Sequence, residues 1–208
     1  MGQQLTFDLS LRPALGRDDF LVTPSNAEAV ALIDQWPDWP TYATVLVGPP
    51  GSGKSHLAEV WRQKSNAQLI TVTDLYVEQV PELFSTNALA IEIAPLGQLP
   101  ESALFHALNF AMQNGCSILF TTHVWPIATV ELPDLKSRFQ ALPYATILPP
   151  DDTLLRGVLV KLFNDRQIAV DEALISYLLT RMPRSLDMAR LLVDRIDRAA
   201  LEQQVEVT

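Results

Sequence analysis

Several features that would place a protein in a specialised class are scarce or missing in this sequence. Among its 208 residues there is a single cysteine, Cys116, so no disulfide can form within the chain. No apolar run reaches the ~18 residues that a membrane-spanning helix needs, and the amino terminus carries no charged leader. We therefore expect a cytoplasmic protein with no membrane partner.

Positive charge is also scarce. The 15 lysines and arginines are outnumbered by 24 acidic residues, which gives a net charge of −9. Residues 1–133 hold 5 of the basic groups and residues 134–208 hold 10, and neither part is basic overall. Because a surface that binds duplex DNA is normally basic, we expect no direct DNA binding.

What the sequence does contain predicts an α/β fold in three parts. Residues 1–24 form an irregular leader, and residues 25–150 alternate apolar runs with helical stretches, which indicates a parallel five-stranded sheet with flanking helices. Residues 151–208, after the Pro149-Pro150 break, contain three helices and no strand. Strands are expected at 43–47, 69–72, 88–93, 117–121 and 145–148. The first helix is expected to begin at Ser25, which forms a capping box with Glu28. Further helices are expected at 55–64, near 74–79, and at 100–114, 134–142, 151–165, 171–182 and 185 to about 203.

The strongest motif is a complete phosphate-binding loop between the first strand and the helix that follows it. It consists of Gly48, Pro49, Pro50, Gly51, Ser52, Gly53, Lys54 and Ser55. Glycines allow backbone N–H groups to turn towards a phosphate, and the helix N-terminus adds its positive end. Lys54 is expected to reach the β- and γ-phosphates, and Ser55 to bind Mg²⁺. The loop predicts binding of ADP or ATP.

A nucleotide hydrolase also needs acidic groups at the end of its third strand, one for Mg²⁺ and one to orient water. Glu92 occupies the first position and is predicted to be a second Mg²⁺ ligand, with a solvated charge at the strand end as the alternative interpretation. Ile93 occupies the other position. Isoleucine cannot orient water, so the protein's own ATPase activity is predicted to be weak or absent. Thr121 and Thr122 end the fourth strand, where a hydroxyl can reach a γ-phosphate; a pair of threonines with high β-propensity is the alternative interpretation.

Two arginines are candidates for contacts with phosphate. Arg138 ends a short helix away from the phosphate loop, which suits delivery to the nucleotide of another subunit, although a single exposed arginine is more often a surface charge. Arg184 precedes the last helix and could fold over a bound nucleotide from the helical segment.

These motifs, in this order, resemble the AAA+ ATPases and, within them, the replication initiator DnaA. Besides the phosphate loop, the segments that match are 19–22, 25–26, 135–139, 147–151 and 184–187. The chain has no counterpart of the basic DNA-binding tail of DnaA. In this it resembles the Hda family of regulatory inactivators of DnaA, called HdaA in alphaproteobacteria. The resemblance implies an AAA+ P-loop NTPase domain followed by a small three-helix lid.

In that family a short peptide near the amino terminus inserts apolar side chains into a pocket of the β sliding clamp. Gln4, Leu5, Phe7 and Leu9 fit this pattern. The resemblance therefore implies that the clamp presents the protein, with ADP bound, to ATP-bound DnaA. Arg138 would then act in trans as a catalytic arginine finger that promotes hydrolysis of the ATP held by DnaA, which limits replication initiation.

The sequence departs from the family pattern at three places. Two other functions also stay open. Glu92-Ile93 is a weaker acidic pair than usual, and His123 replaces an acidic residue. Asp134 replaces an arginine of the oligomer interface of DnaA, so we expect a homodimer at most and no filament. The alternative functions are a small-molecule P-loop kinase, against which no acceptor-binding cluster follows the second strand, and a DNA-handling AAA+ helper, against which the acidic charge argues.

Overall fold

The computed structural model describes residues 21–93, 98–124, 127 and 129–203. Five strands are present in this part of the chain: β1 (Ala43–Val47), β2 (Gln68–Thr71), β3 (Ala88–Ile93), β4 (Ser117–Thr122) and β5 (Tyr144–Thr146). They form one parallel sheet in the order β2-β3-β4-β1-β5. The α/β prediction with a five-stranded parallel sheet is therefore confirmed.

The chain divides into two compact units. Of the described residues, one unit holds those between 28 and 149, and the other holds residues 21–27 and 150–203. In its described part, the first unit contains the sheet and five α-helices: α1 (Ala27–Asp34), α2 (Lys54–Ser65), α3 (Val80–Leu83), α4 (Glu101–Asn114) and α5 (Pro133–Ala141). Helix α1 begins one residue before the boundary of this unit at residue 28. In the described part of the chain, no helix combines the length and apolarity required to span a membrane.

The two faces of the sheet are covered by different helices. Along each strand, side chains alternate between the faces. Ile93 and Phe120 belong to a buried cluster that includes Leu104 and Leu108 of α4. The alternate positions of β3 and β4 face the other side, where α2 packs against both strands. Any residue of this sheet can therefore be assigned to the α4 face or to the α2 face by its position along the strand.

The second unit is helical and has a core of its own. It consists of α6 (Asp152–Asp165), α7 (Glu172–Arg181) and α8 (Leu186–Gln203). Asp151 and Asp171 cap the first two of these helices, because their Oδ1 atoms accept hydrogen bonds of 2.7 Å from the N–H groups of Leu154 and Leu174. The core contains eight buried residues: Leu155, Leu159, Phe163, Ile175, Leu178, Met182, Ala189 and Val193.

Two local predictions were wrong. Helix α1 begins at Ala27 instead of just after Ser25, because a turn comes first: the Thr23 carbonyl accepts hydrogen bonds from the N–H groups of Asn26 and Ala27. The helix expected near residues 74–79 is replaced by two 3₁₀ turns, Val72–Asp74 and Val77–Gln79, and then α3. Asp74 Oδ2 accepts a hydrogen bond from Thr71 Oγ1, and such local side-chain bonds compete with a helix.

Candidate functional site

The loop between β1 and α2 has the backbone conformation that a phosphate-binding loop requires. Gly51 and Gly53 have φ angles of 68° and 105°, in the left-handed region that side chains with a Cβ disfavour. Helix α2 begins immediately afterwards, at Lys54. The loop is thus held at the amino-terminal end of a helix, where free backbone N–H groups and the helix dipole favour an anion.

Gly48 lies where the loop passes closely over the end of β5. A Cβ atom at this position would stand 2.5 Å from the backbone oxygen of Ile147 and 2.9 Å from Ser52 Oγ. Ser52 is itself buried, and its Oγ atom is a polar group that makes no hydrogen bond with the described residues. An unpaired buried hydroxyl inside an anion-binding loop is available to a ligand oxygen.

A Gly48→Ala variant is therefore expected to unfold more easily, by about 2–3 kcal/mol, because the added methyl group meets a backbone atom that cannot move freely. Gly115→Ala is the matched control. Gly115 also has a positive φ, 65°, but a Cβ there would meet nothing within 4 Å, so its cost should stay near ~1 kcal/mol. Urea unfolding of the two variants and the parent measures this difference. Equal losses would contradict the close packing at Gly48.

The side chain of Lys54 lies inside the loop rather than in solvent. It is 6% exposed, and its Nζ atom donates hydrogen bonds to the carbonyls of Gly48, at 2.7 Å, and Pro49, at 2.8 Å. Both acceptors belong to the loop itself. The ammonium group is therefore held at the place where loop and helix converge on a phosphate, and charge-assisted bonds to phosphate oxygens are stronger than bonds to carbonyls.

The structure separates the polar residues predicted at the ends of β3 and β4. Glu92 pairs in register with Thr121, and both occupy α2-face positions. Thr122 pairs with Ile93 on the α4 face instead, and its Oγ1 atom donates a 2.8 Å hydrogen bond to the carbonyl of Val124. Glu92 and Thr121 thus lie on the side of the sheet that carries the phosphate-loop helix, whereas Ile93 is buried in the core below α4.

The residues predicted to bind Mg²⁺ are of a suitable chemical type. Mg²⁺ that arrives with a nucleotide needs only one or two oxygen ligands from the protein. Ser55, at the start of α2, and Glu92, on the sheet face that α2 covers, supply a hydroxyl and a carboxylate. No cluster of three His, Cys, Asp or Glu residues that could hold a metal exists in the described ranges. The hydroxyl of Ser55 and the carboxylate of Glu92 therefore suit an Mg²⁺ ion that is bound to a nucleotide.

Arg138 lies in the last turn of α5, near the beginning of β1. Its NH1 atom is 3.3 Å from the hydroxyl oxygen of Tyr42 and 3.7 Å from Met112 Sδ, and its guanidinium lies 5.1 Å from the centre of the Phe105 ring. Tyr42 directly precedes β1, whereas Gly48 directly follows it. The strand therefore separates the backbone of Tyr42 from the phosphate loop by about 20 Å, at ~3.3 Å per residue, and Arg138 contacts the Tyr42 side chain.

The remaining predicted residues lie elsewhere. Arg184 belongs to the helical unit, where its NH1 atom makes a 2.8 Å ion pair with Asp152; both side chains are more than half exposed. Gln4, Leu5, Phe7 and Leu9 lie outside the described residues. Sequence reasoning did not identify Tyr42 as a contact of Arg138, and no motif could have done so, since the two are 96 residues apart.

Comparison with known proteins identifies the fold. No family model and no curated protein matches the chain. Among solved structures, domain III of the Thermotoga maritima replication initiation protein DnaA has a TM-score of 0.71 and 20% identity, covering 95% of this chain and 93% of that one. AMPPCP-bound DnaA from Aquifex aeolicus has a TM-score of 0.69 and 17% identity, and the match covers 93% of this chain and 67% of that chain.

The Thermotoga maritima RuvB Holliday junction branch migration motor is also similar, with a TM-score of 0.63 and 18% identity over 86% of this chain and 62% of that chain. The chain thus spans about two thirds of the longer relatives, which include a DNA replication initiation factor of which it covers 66%. All these identities are low. Together they establish the DnaA-like AAA+ fold, with its parallel sheet, phosphate loop and flanking helices.

Proposed function

We propose that this chain is a DnaA-related regulatory protein, and that it binds ADP or ATP with Mg²⁺ at residues 48–55. Three features of the loop support nucleotide binding: its two left-handed glycines, the enclosed Lys54 ammonium group, and the unpaired Ser52 hydroxyl. Glu92 and Thr121 add polar groups on the same face of the sheet. We propose that Ser55 and Glu92 hold the magnesium ion and that Thr121 contacts the γ-phosphate.

The nucleotide is proposed to serve as a structural ligand more than as a substrate. The second acid that would orient an attacking water molecule is replaced by Ile93, which is 3% exposed and packed among the α4-face residues. No small shift of this side chain can supply a proton acceptor. Slow or absent turnover of the protein's own ATP follows.

The placement of Arg138 carries the regulatory part of the proposal. An arginine that contacts Tyr42, at the other end of β1 from the phosphate loop, is badly placed to assist hydrolysis there, but as a partly exposed residue it is available to a nucleotide bound to another protein. An arginine supplied in trans stabilises the negative charge on the phosphoryl group that is being transferred, and it increases the hydrolysis rate by ~10³–10⁵-fold. We propose that its target is ATP bound to DnaA, and that Arg184 is a ligand of this protein's own nucleotide.

The leader is proposed to locate the protein at the replication fork, in the cytoplasm. Gln4, Leu5, Phe7 and Leu9 have the spacing of a peptide that binds the β sliding clamp. Such a short motif is weak by itself, and what supports it here is its position ahead of a DnaA-like fold. A homodimer is the only self-association that we propose.

The double substitution Leu5→Ala, Phe7→Ala is expected to abolish binding to the β sliding clamp, because it removes two apolar anchors worth ~1.5–3 kcal/mol each when buried. Titration of the purified chain against the clamp in physiological salt, with ADP present, measures this loss. Leu11→Ala, in the same leader but outside the motif, is the matched control and should bind like the parent. Clamp binding that survives the double substitution would remove the clamp from the proposal, whereas ADP affinity should be the same in all three proteins.

A further inference from the structure

The side chain of Arg138 is held on the surface of the sheet-containing unit by residues from two other elements. Tyr42 stands at the beginning of β1, and Phe105 and Met112 lie seven residues apart on α4, on one face of that helix. We propose that Tyr42 is a positioning residue, which holds Arg138 in the orientation that engages the partner's nucleotide. This inference rests on the proposed function of Arg138 as a finger.

Tyr42 is well placed for this purpose because its backbone is fixed. Its carbonyl accepts a 2.9 Å hydrogen bond from the N–H of Ile118, where β4 runs beside β1. The residue that follows, Ala43, is fully buried, and the Tyr42 ring is partly buried against the core beneath α4. The phenol oxygen is therefore presented by a rigid strand end, and it can fix the guanidinium in one orientation.

The contacts leave one edge of the guanidinium available. The same nitrogen, NH1, approaches both the Tyr42 oxygen and the Met112 sulfur. Among the residues that the structure describes, none makes a hydrogen bond to Nε or NH2 of Arg138. Nε and NH2 together form the edge with which arginine binds two oxygens of one phosphate or carboxylate. The tyrosine thus occupies the nitrogen that such a ligand does not need.

Holding the arginine in advance increases the rate of the step in which it acts. A free arginine side chain loses rotamer freedom when it is fixed in one orientation, and this loss opposes the step. The contacts with Tyr42 and Phe105 remove part of this freedom before the partner arrives. The benefit appears in the rate at saturation, since the arginine stabilises the transition state and contributes little to docking of the two proteins.

Tyr42→Phe tests the proposal, because it removes the hydroxyl oxygen and keeps the ring that packs in the core. Single-turnover hydrolysis of ATP bound to DnaA is measured at increasing concentrations of this protein with the clamp present. The maximal rate is expected to fall about fivefold, as for loss of one ordinary hydrogen bond, because the contact is long at 3.3 Å, with the half-saturating concentration unchanged. Tyr144→Phe is the matched control: Tyr144 lies in β5 and is 60% exposed, so its variant should give the same maximal rate as the parent.

The nuclear magnetic resonance signal of the Arg138 Nε–H group provides a second readout that does not depend on any partner. It is expected to be shifted by the Phe105 ring in the parent and to move towards the position of a free arginine in Tyr42→Phe. An unchanged signal, an unchanged maximal rate or a faster one would overturn the positioning role. Arg138→Ala separates the two hypotheses: if it retains full stimulation, the finger itself is wrong, whereas if it abolishes stimulation while Tyr42→Phe behaves like the parent, only the positioning role fails.

Discussion

Replacing Arg138 with alanine is expected to remove the stimulation of DnaA-bound ATP hydrolysis, lowering the stimulated rate by about 10³-fold or down to the initiator's own rate. Alanine removes the guanidinium that neutralises charge on the phosphoryl group, whereas the fold should lose little, because one exposed cation–π contact is worth only ~0.5–1 kcal/mol. Single-turnover hydrolysis with clamp and initiator present measures the effect.

Two further variants, one at Arg138 itself and one at another residue of α5, test whether the effect requires the guanidinium group of Arg138. Arg138→Lys keeps the positive charge but not the planar fork, so it should restore only a small part of the stimulation. Lys136→Ala, two residues earlier on α5, removes a positive charge from the same helix and should stimulate like the parent. A loss of equal size in Lys136→Ala would mean that α5 contributes only its charge.

Replacing Lys54 with alanine is expected to weaken binding of ADP and ATP by at least about 30-fold, since removing one partner of a buried, hydrogen-bonded charge pair costs ~2–5 kcal/mol. Lys54 is enclosed by the loop, and its Nζ atom already lies at the carbonyls of Gly48 and Pro49. A phosphate would exchange these weaker acceptors for charged ones. Calorimetric titration with each nucleotide measures the loss.

A lysine at the other end of the same helix provides the control for Lys54. Lys64, in the last turn of α2, donates a hydrogen bond to the carbonyl of Trp36 and is distant from the loop. Lys64→Ala should therefore bind nucleotide with the parent's affinity. Nucleotide binding that persists in Lys54→Ala would indicate that the loop is not the phosphate site, and the proposed function would lose its basis.

The parts of the fold that the sequence predicted well are those in which local pattern and tertiary environment agree. The bounds of β1 and β3 match the prediction, because each is a mainly apolar segment of a parallel sheet, interrupted only by Thr44 in β1 and by Glu92 in β3, and most of its residues are buried. Helix α4 ends where Gly115 adopts a positive φ, as its glycine predicted. The phosphate loop was predicted for the same reason, since its glycines encode the turn directly.

The errors occurred where a single residue permits several local structures. Ser25 can cap a helix, but the Thr23 carbonyl and the Asn26 side chain form a turn that delays the helix to Ala27. Thr121 and Thr122 were treated as one polar pair, although strand alternation places them on opposite faces. The surroundings of Arg138 could not be predicted, because they depend on how α4 and α5 pack.

We propose above that this protein acts on a nucleotide that another protein holds. The most direct test of this proposal preloads purified DnaA with labelled ATP, removes free nucleotide, and follows conversion of the label to ADP after addition of clamp, DNA and the parent chain. Bound ATP is expected to disappear much faster with this protein than without it, while the protein alone hydrolyses ATP slowly or not at all. An unchanged lifetime of the ATP held by DnaA would contradict the proposed function, even if this chain bound both nucleotide and clamp.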